Sequence, residues 1–358
     1  QELSETFSLD LLSQEWKKRV RYQIRKQLVF DPIEYRDYND DLQKVIRQVR
    51  SNVLDGSYKV HSSKRYLIEK SRGLCRQMTL VHPRDLLVLE RLSRSFHFDL
   101  KRKSPSDSAF FEPDDGNFKA GFQQSDFEYG SFASWKKFQK NVFGFSKENK
   151  YIVVTDVANF YDFINFNHLR NIVASLADVR EAVLDLLIYL LNRLTWLPDY
   201  MPLTHVGMPQ IETSATRVLA NAMLYEVDRV CVDATVQNYA RFMDDMDVGV
   251  NSIVQAKEIV RDIDLTLQSR QLRLNSNKTR IMDQKTAFDY FCISENEFLA
   301  RADDLIEKLK GFPKGLKLVN RILSSRYETW LKRSPQGGPG KDSVFFKPSG
   351  SKIHKYDL

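Results

Sequence analysis

The apolar positions change period along the chain, and each change marks an element. Tyr151-Ile-Val-Val-Thr155 is a short β-branched run that stops at Asp156, the pattern of a buried strand delivering a carboxylate to its end. From Ser175 to Leu194 the residues Val183, Leu186, Leu187, Leu190, Leu191 and Leu194 recur at helical spacing and predict a core helix. Thr213 to Asp228 predicts a second helix, entered from the turn Gly207-Met-Pro209. Tyr239 to Phe242 and Met246 to Val250 flank Met243-Asp244-Asp245 as a hairpin whose tip carries adjacent acids. Ser252 predicts the N-cap of a helix running to about Arg270, and Leu272 to Met282 reads as a strand or turn around Lys278.

Upstream the pattern is less regular. Residues 1–60 interleave aromatic and basic residues at helical spacing (Trp16, Lys17, Lys18, Arg19, Arg21, Tyr22), which suits either an RNA-facing helix or a solvated amphipathic one, and a polar stretch follows at Asp37 to Asp41. From Lys64 to Lys103 positive charge dominates, a density that suits phosphate binding. Ser104 to Gly130 shifts to Ser, Pro, Asp, Gly and Phe and reads as a long loop or insertion. No internal repeat is visible.

Composition narrows the classes. The chain is 42% hydrophobic and 28% charged, enough apolar material for a packed core. A net charge of +7 and a pI near 9.1 favour polyanionic partners. Cys75, Cys231 and Cys292 lie far apart, with no CxxC pair or His/Cys cluster for zinc, so neither a disulfide scaffold nor a structural zinc is expected. The longest apolar stretch, Val183 to Leu194, is interrupted by Asp185, Asn192 and Arg193 and is shorter than the roughly 20 residues that span a bilayer. Without an apolar leader, the expected location is the cytoplasm.

Three carboxylates carry the candidate chemistry: Asp156 after one strand, and Asp244-Asp245 at the hairpin tip. Nucleotidyl transfer uses two divalent cations about 3.5 to 4 Å apart, and Mg²⁺ prefers carboxylate and phosphate oxygens. An Asp-Asp dipeptide alone is more often a solvated turn, and the nearby Asp162 and Asp247 serve as negative controls.

Order along the chain changes the weighting. Asp156-Val-Ala-Asn-Phe160-Tyr161, then Gly207-Met-Pro209-Gln210 with Thr216-Arg217-Val-Leu219-Ala220-Asn221, then Tyr239-Ala-Arg-Phe242-Met243-Asp244-Asp245, then Leu272-Arg-Leu274-Asn275-Ser-Asn277-Lys278 resemble, in order, the four palm blocks of reverse transcriptases. Lys70-Ser-Arg72-Gly73-Leu-Cys-Arg76 is similar to the family's fingers segment, and Phe288-Asp-Tyr290-Phe291 stands where its primer grip falls. Two departures accompany the match: Ile211-Glu212 where a small residue is usual, with one extra residue before the helix, and Phe242 in place of the commoner Tyr.

The resemblance implies an α+β right-hand polymerase: an N-terminal helical region at 1–60, fingers with an insertion loop at 61–150, a palm at 151–295 and a small thumb or tail at 296–358, with Lys308, Lys310, Lys314 and Lys317 facing a duplex. It implies that Asp156, Asp244 and Asp245, with Val157, hold Mg²⁺ or Mn²⁺. Lys70, Arg72 and Arg76 would grip the triphosphate, and Lys278 would serve the departing pyrophosphate. Tyr161 would act as a steric gate under the sugar, where its alternative is a core aromatic, and Gln210 would contact the nucleotide. The implied activity is RNA-directed DNA synthesis from dNTPs on an RNA template, which could be a dedicated non-coding RNA. Alternatives on the same palm are untemplated or protein-primed synthesis, or a non-catalytic RNA-binding scaffold. Motif style, and no RNase H, integrase, endonuclease or maturase-like segment after Lys278, resemble bacterial defence-associated and abortive-infection members. That implies antiphage defence, working as an RNA-associated complex, a homo-oligomer or with a partner subunit.

Overall fold

The computed structural model describes residues 1–25, 27–29, 33, 35–71, 73–110, 132–178, 180–197, 200–201, 204–235, 238–309 and 311–333. The chain starts with α1 (Glu2–Thr6) and α2 (Leu9–Glu15), whose N-cap Ser8 accepts from the Leu11 N–H, then a π-helical turn at Trp16–Val20 and α3 (Arg21–Ile24). Leu12, Trp16, Val20 and Ile24 recur every fourth position and are all buried. Trp16 therefore faces the core, donating its indole N–H to Asn39 Oδ1 at 2.9 Å and stacking on Tyr38, while Lys17 and Lys18 face solvent. The polar stretch at 37–41 is largely helical, as α4 (Arg36–Asp40), and leads into α5 (Leu42–Leu54), whose apolar stripe Leu42, Val45, Ile46, Val49 and Val53 closes over the same core.

A two-stranded antiparallel hairpin follows, β1 (Lys64–Ser71) and β2 (Leu74–Leu80), turning at Gly73, whose φ of +78° suits glycine. Its two ends are clamped together. His61, before β1, stacks face to face on His82, after β2, with centroids 3.8 Å apart. Asp85, fully buried, accepts from the Tyr58 hydroxyl, the His61 backbone N–H and the His61 ring. His82 caps the long α6 (Pro83–Arg102), which packs against α1, α2 and α5.

The remaining described elements, in chain order, are β3 (Ala109–Phe110), α7 (Phe132–Glu148), β4 (Tyr151–Asp156), α8 (Phe160–Phe163), α9 (Phe166–Leu176), α10 (Glu181–Leu194), α11 (Ala215–Ala222), α12 (Tyr225–Thr235), β5 (Tyr239–Phe242), β6 (Asp245–Val250), α13 (Ile253–Gln268), β7 (Arg280–Asp283), α14 (Gln284–Tyr290), α15 (Ile293–Lys308) and α16 (Pro313–Arg333). Five strands form one sheet in the order β3-β5-β6-β4-β7, antiparallel except for β3 beside β5. Alternation along the strands divides two cores. Ile152, Ala240, Phe242 and Met282 face α7 and α14, while Val153, Tyr239, Met246 and Val248 join the larger core of the helices. Gly249 lets α7 approach closely, because a Cβ there would lie 2.8 Å from Asn149 Nδ2 and 3.0 Å from Phe145. The architecture is thus a mixed, α+β one.

Several expectations are adjusted by tertiary contacts. The helix read across Thr213 to Asp228 is two helices, α11 and α12, broken at Met223-Leu224. The core helix read from Ser175 begins only at Glu181. Ser252 caps α13, accepting from the Gln255 N–H at 3.1 Å. Of the loop read at 104–130, residues 111–130 lie outside the described residues, as do residue 131, Arg72, Lys310 and the tail from 334 onward. All three cysteines are free thiols. Among the described residues, no helix is long and apolar enough to cross a membrane.

Candidate active site

The β4–β6 ladder sets Asp156 directly opposite Asp245, and the β5–β6 ladder sets Phe242 opposite Asp245. Met243 and Asp244 alone therefore form the turn. Met243 takes a left-handed backbone, φ +57°, and its N–H donates to the Phe110 carbonyl at 3.1 Å. Two of the three carboxylates are cross-strand neighbours, a placement that brings Cβ atoms within about 4.5–5.5 Å, and the third lies one residue away.

Asp156 is only 4% exposed. Its Oδ1 is buried with no hydrogen-bond partner, while Oδ2 receives the Lys278 ammonium. Burial pushes the Asp244 and Asp245 carboxyls up, and repulsion adds to it, from Asp156 on Asp244 and from both Asp244 and Asp156 on Asp245, which is pushed up to about 7. Lys278 opposes this at both acids, and Arg76 does so at Asp244. An orphaned buried carboxylate oxygen among mutually repelling acids is a donor set that fits a divalent cation. Val157 is compatible with a backbone ligand: its bridge to Leu274 is closed by the Ala158 N–H to Arg273 O and the Asn275 N–H to Asp156 O, so Val157 spends neither backbone group there.

Lys278 reaches the site through a local break in strand pairing. Residues 273–275 pair with 156–158 and β7 pairs with the start of β4, and the turn Asn275–Lys278 bulges out between them. The Lys278 N–H donates to Asn275 O at 3.0 Å, and the side chain, 60% exposed, extends to Asp156. Burial lowers the affinity of this ammonium for its proton, but the Asp156 hydrogen bond and all three carboxylates raise it further, so it is held protonated.

The other residues come in from two sides. Tyr161, on α8, is half-buried against Phe160; burial and the Asp244 charge raise its hydroxyl pKa while Arg217 and Arg76 lower it, so its ring lies among those charges. Its carbonyl accepts from the Met208 N–H at 2.7 Å, which seats the Gly207-Met-Pro209 turn on α8. At Gly207, φ +107°, a Cβ would stand 3.3 Å from Thr195. Gln210 donates to Asp162 Oδ1 at 3.3 Å, and its carbonyl accepts from the Thr79 N–H at 2.8 Å, docking β2 on the turn. Arg76 is on the same hairpin, and its charge acts on both Asp244 and Tyr161. Arg72 and the Lys70 side chain lie outside the described residues.

Several contributors carry no sequence motif. Glu90, buried on α6, accepts from the Ala215 N–H at 3.1 Å and caps α11. Ile211 is buried and Glu212 accepts from the Leu28 N–H at 2.7 Å, so the departing pair ties the N-terminal region to the Gly207–Gln210 turn. Asp247 is buried two pairs below Asp245, opposite Val154 and Ala240, and Asp162, though exposed, accepts from Gln210, so neither is a neutral control. His61, His82 and Asp85, separated in sequence, bring ligating atoms within 4.8 Å, but stacked rings hold their lone pairs in parallel planes, which suits a clamp better than a metal.

Acidic residues grouped with a protonated lysine at one end of an antiparallel sheet provide what a nucleotidyltransferase needs. Residues 117–294, about half of the chain, match the model of the family described as Reverse transcriptase (RNA-dependent DNA polymerase). That stretch is thus similar to the reverse transcriptase domain, the domain of RNA-directed DNA polymerases. No curated protein matches it. Similar solved structures include apo telomerase from Candida Tropicalis truncated from its C-terminal domain (14% identity, 67% of this chain and 55% of that one, TM-score 0.44). The untruncated apo telomerase of Candida Tropicalis matches at 12% identity over 67% of this chain and 48% of that one, with a TM-score of 0.43. Telomerase from Candida albicans in complex with a TWJ fragment of telomeric RNA matches at 10% identity over 69% and 46%, with a TM-score of 0.44. The chain thus spans about half the length of these chains.

Proposed function

We propose that this protein is an RNA-directed DNA polymerase with a right-hand organisation, in which 61–150 act as fingers, 151–295 as palm and 296–358 as a small thumb or tail behind the N-terminal region 1–60. The observation that carries the reading is the pairing of Asp156 with Asp245 across β4 and β6, with Asp244 in the turn and Lys278 on Asp156.

Asp156, Asp244, Asp245 and the backbone of Val157 would hold Mg²⁺ or Mn²⁺, which lowers the pKa of an attacking hydroxyl and offsets phosphate charge. The chain's own residues do the rest. Arg76, with Lys70 and Arg72 beside it in sequence, offers guanidinium donors to the triphosphate. Lys278, held protonated, has a proton to give the departing pyrophosphate. The Tyr161 ring would crowd a 2′-hydroxyl, favouring dNTPs over rNTPs, and Gln210 would contact the nucleotide. An RNA template and a DNA product are what this reading assigns, and the family match supports them. A role in bacterial antiphage defence is supported by the motif style alone.

The test is incorporation of dNTPs on a primed RNA template by wild-type protein and by Asp244→Ala, with template-free and primer-free arms. Template-dependent synthesis lost in the variant supports the reading. Equal incorporation by both proteins would overturn it, and synthesis that persists without template points to the untemplated or protein-primed alternative.

A further inference from the structure

Arg241 is fully buried, and so is Asp228. The guanidinium forks onto that carboxylate, Nε to Oδ1 at 2.7 Å and Nη2 to Oδ2 at 2.5 Å, and the Tyr239 hydroxyl donates to the same carboxylate at 2.6 Å. The remaining nitrogen, Nη1, donates to Asn221 Oδ1 at 2.9 Å and to the Met243 carbonyl at 2.8 Å. Burying an arginine and its partner carboxylate is expensive, and an apolar pair would fill the same space at lower cost. What an apolar pair cannot do is hold a carbonyl.

The carbonyl in question belongs to the residue before Asp244. Met243 takes a left-handed backbone that disfavours side chains other than glycine. Both of its backbone groups are tied, the N–H to Phe110 and the carbonyl to Arg241. Arg241 pairs with Met246, one position before the Phe242–Asp245 pair, so its side chain leaves the sheet on the face opposite Asp245 and grips the turn from behind. Asn221 stands in the last turn of α11, whose first turn carries Thr216 and Arg217 beside Tyr161, and Asp228 stands in α12.

We propose that Arg241, braced by Asp228 and Asn221, is a positioning residue that fixes the Met243 turn, sets the direction of Asp244, and couples the carboxylate turn to the helix on the nucleotide side. The inference rests on the polymerase reading above. Removing the tether loosens Asp244 while leaving every metal-facing oxygen in the sequence.

The experiment compares wild type, Asp244→Ala and the double variant Asp228→Asn with Arg241→Gln, which removes both charges together and leaves a side chain too short to reach Met243. Melting, Mn²⁺ affinity by titration, and single-nucleotide incorporation are measured. The double variant should melt cooperatively, bind Mn²⁺ about tenfold more weakly and lose a similar factor in kcat, as residues supporting metal ligands do. Its KM for dNTP should stay within about twofold. A folded double variant with wild-type Mn²⁺ affinity and kcat overturns the proposal, while loss of Mn²⁺ in Asp244→Ala leaves the polymerase reading standing. Unchanged Mn²⁺ binding in Asp244→Ala overturns both. If the double variant does not fold, Arg241→Lys, which keeps the charge but lacks the fork, is judged by the same readouts; unfolding of that variant too would make the brace a stability element and end the positioning role.

Discussion

Glu90 offers a quantitative test of how the α6 helix supports the site. It is buried beneath α11, and burial above all, with the Glu15 charge adding to it, raises its carboxyl from an ordinary 4.5 to about 7, although the Ala215 N–H pulls the other way. The direction of the linkage follows. A folded-state pKa above the unfolded value means that the folded form holds its proton more tightly, so the associated stability is fully present below about pH 4.5 and is lost as pH rises through about 7. A shift from 4.5 to about 7 corresponds to about 3 kcal/mol at 1.36 kcal/mol per unit. Glu90→Gln stays neutral and keeps an acceptor oxygen for the Ala215 N–H. Its stability relative to wild type should therefore climb by up to that amount as pH rises from about 4.5, steadily up to about pH 7 and levelling off above it. Denaturant midpoints of both proteins across this range measure it. Parallel curves would refute the reasoning, since a solvated or already ionised Glu90 would give no difference in slope. Glu15→Gln should move the climb to lower pH, because it removes the like charge.

Other outcomes follow from the same geometry. Tyr161→Ala should relax the preference for dNTPs over rNTPs, measured as the ratio of kcat/KM values, and an unchanged ratio would assign the ring to the core. Lys278→Ala should lower kcat at saturating dNTP by about a hundredfold or more; because the side chain is 60% exposed, its ion pair contributes at most about 1 kcal/mol and melting should barely move. Arg76→Ala should instead raise KM for dNTP, so identical kinetic profiles for these two variants would refute the division of roles. Chelation with EDTA should stop incorporation, and added Mg²⁺ should restore it.

What was legible in the chain was local. The strand ending at Asp156 shows itself because a β-branched run has only one comfortable backbone, and the hairpin because two apolar segments flank a pair of acids. The Ser252 cap is read for the same reason: its partner, the Gln255 N–H, is three residues away. Distant partners were not legible. Nothing in the composition around Met223 signals the break between α11 and α12, since neither glycine nor proline is there; Asn221 and Asp228, on either side of the break, both bond Arg241. Asp247 looks like a surface acid in a hairpin and is buried, because strand alternation puts it on the face covered by α7 and α14. The aromatic-basic pattern of the first helices separates cleanly once Trp16 is seen to face inward.

The Ile211-Glu212 departure shows how a mismatch to a motif can hold structural information. A small residue after Gln210 would leave the turn its backbone hydrogen bonds but take away its side-chain anchor in the core. Here Ile211 anchors the turn in the core, and Glu212 holds the Leu28 N–H and acts on the Tyr66 hydroxyl of β1, raising its pKa along with burial. The Thr79 N–H of β2 meanwhile donates to the Gln210 carbonyl. Both strands of the hairpin carrying Arg76 and the segment after α3 therefore meet at three consecutive residues, 210–212. The hairpin is joined to Gln210 by a hydrogen bond of ordinary length, 2.8 Å, so a displacement of either strains that link. Ile211 and Glu212, the pair that departs from the motif, thus lie within the junction that joins the basic hairpin to the turn beside the carboxylate site.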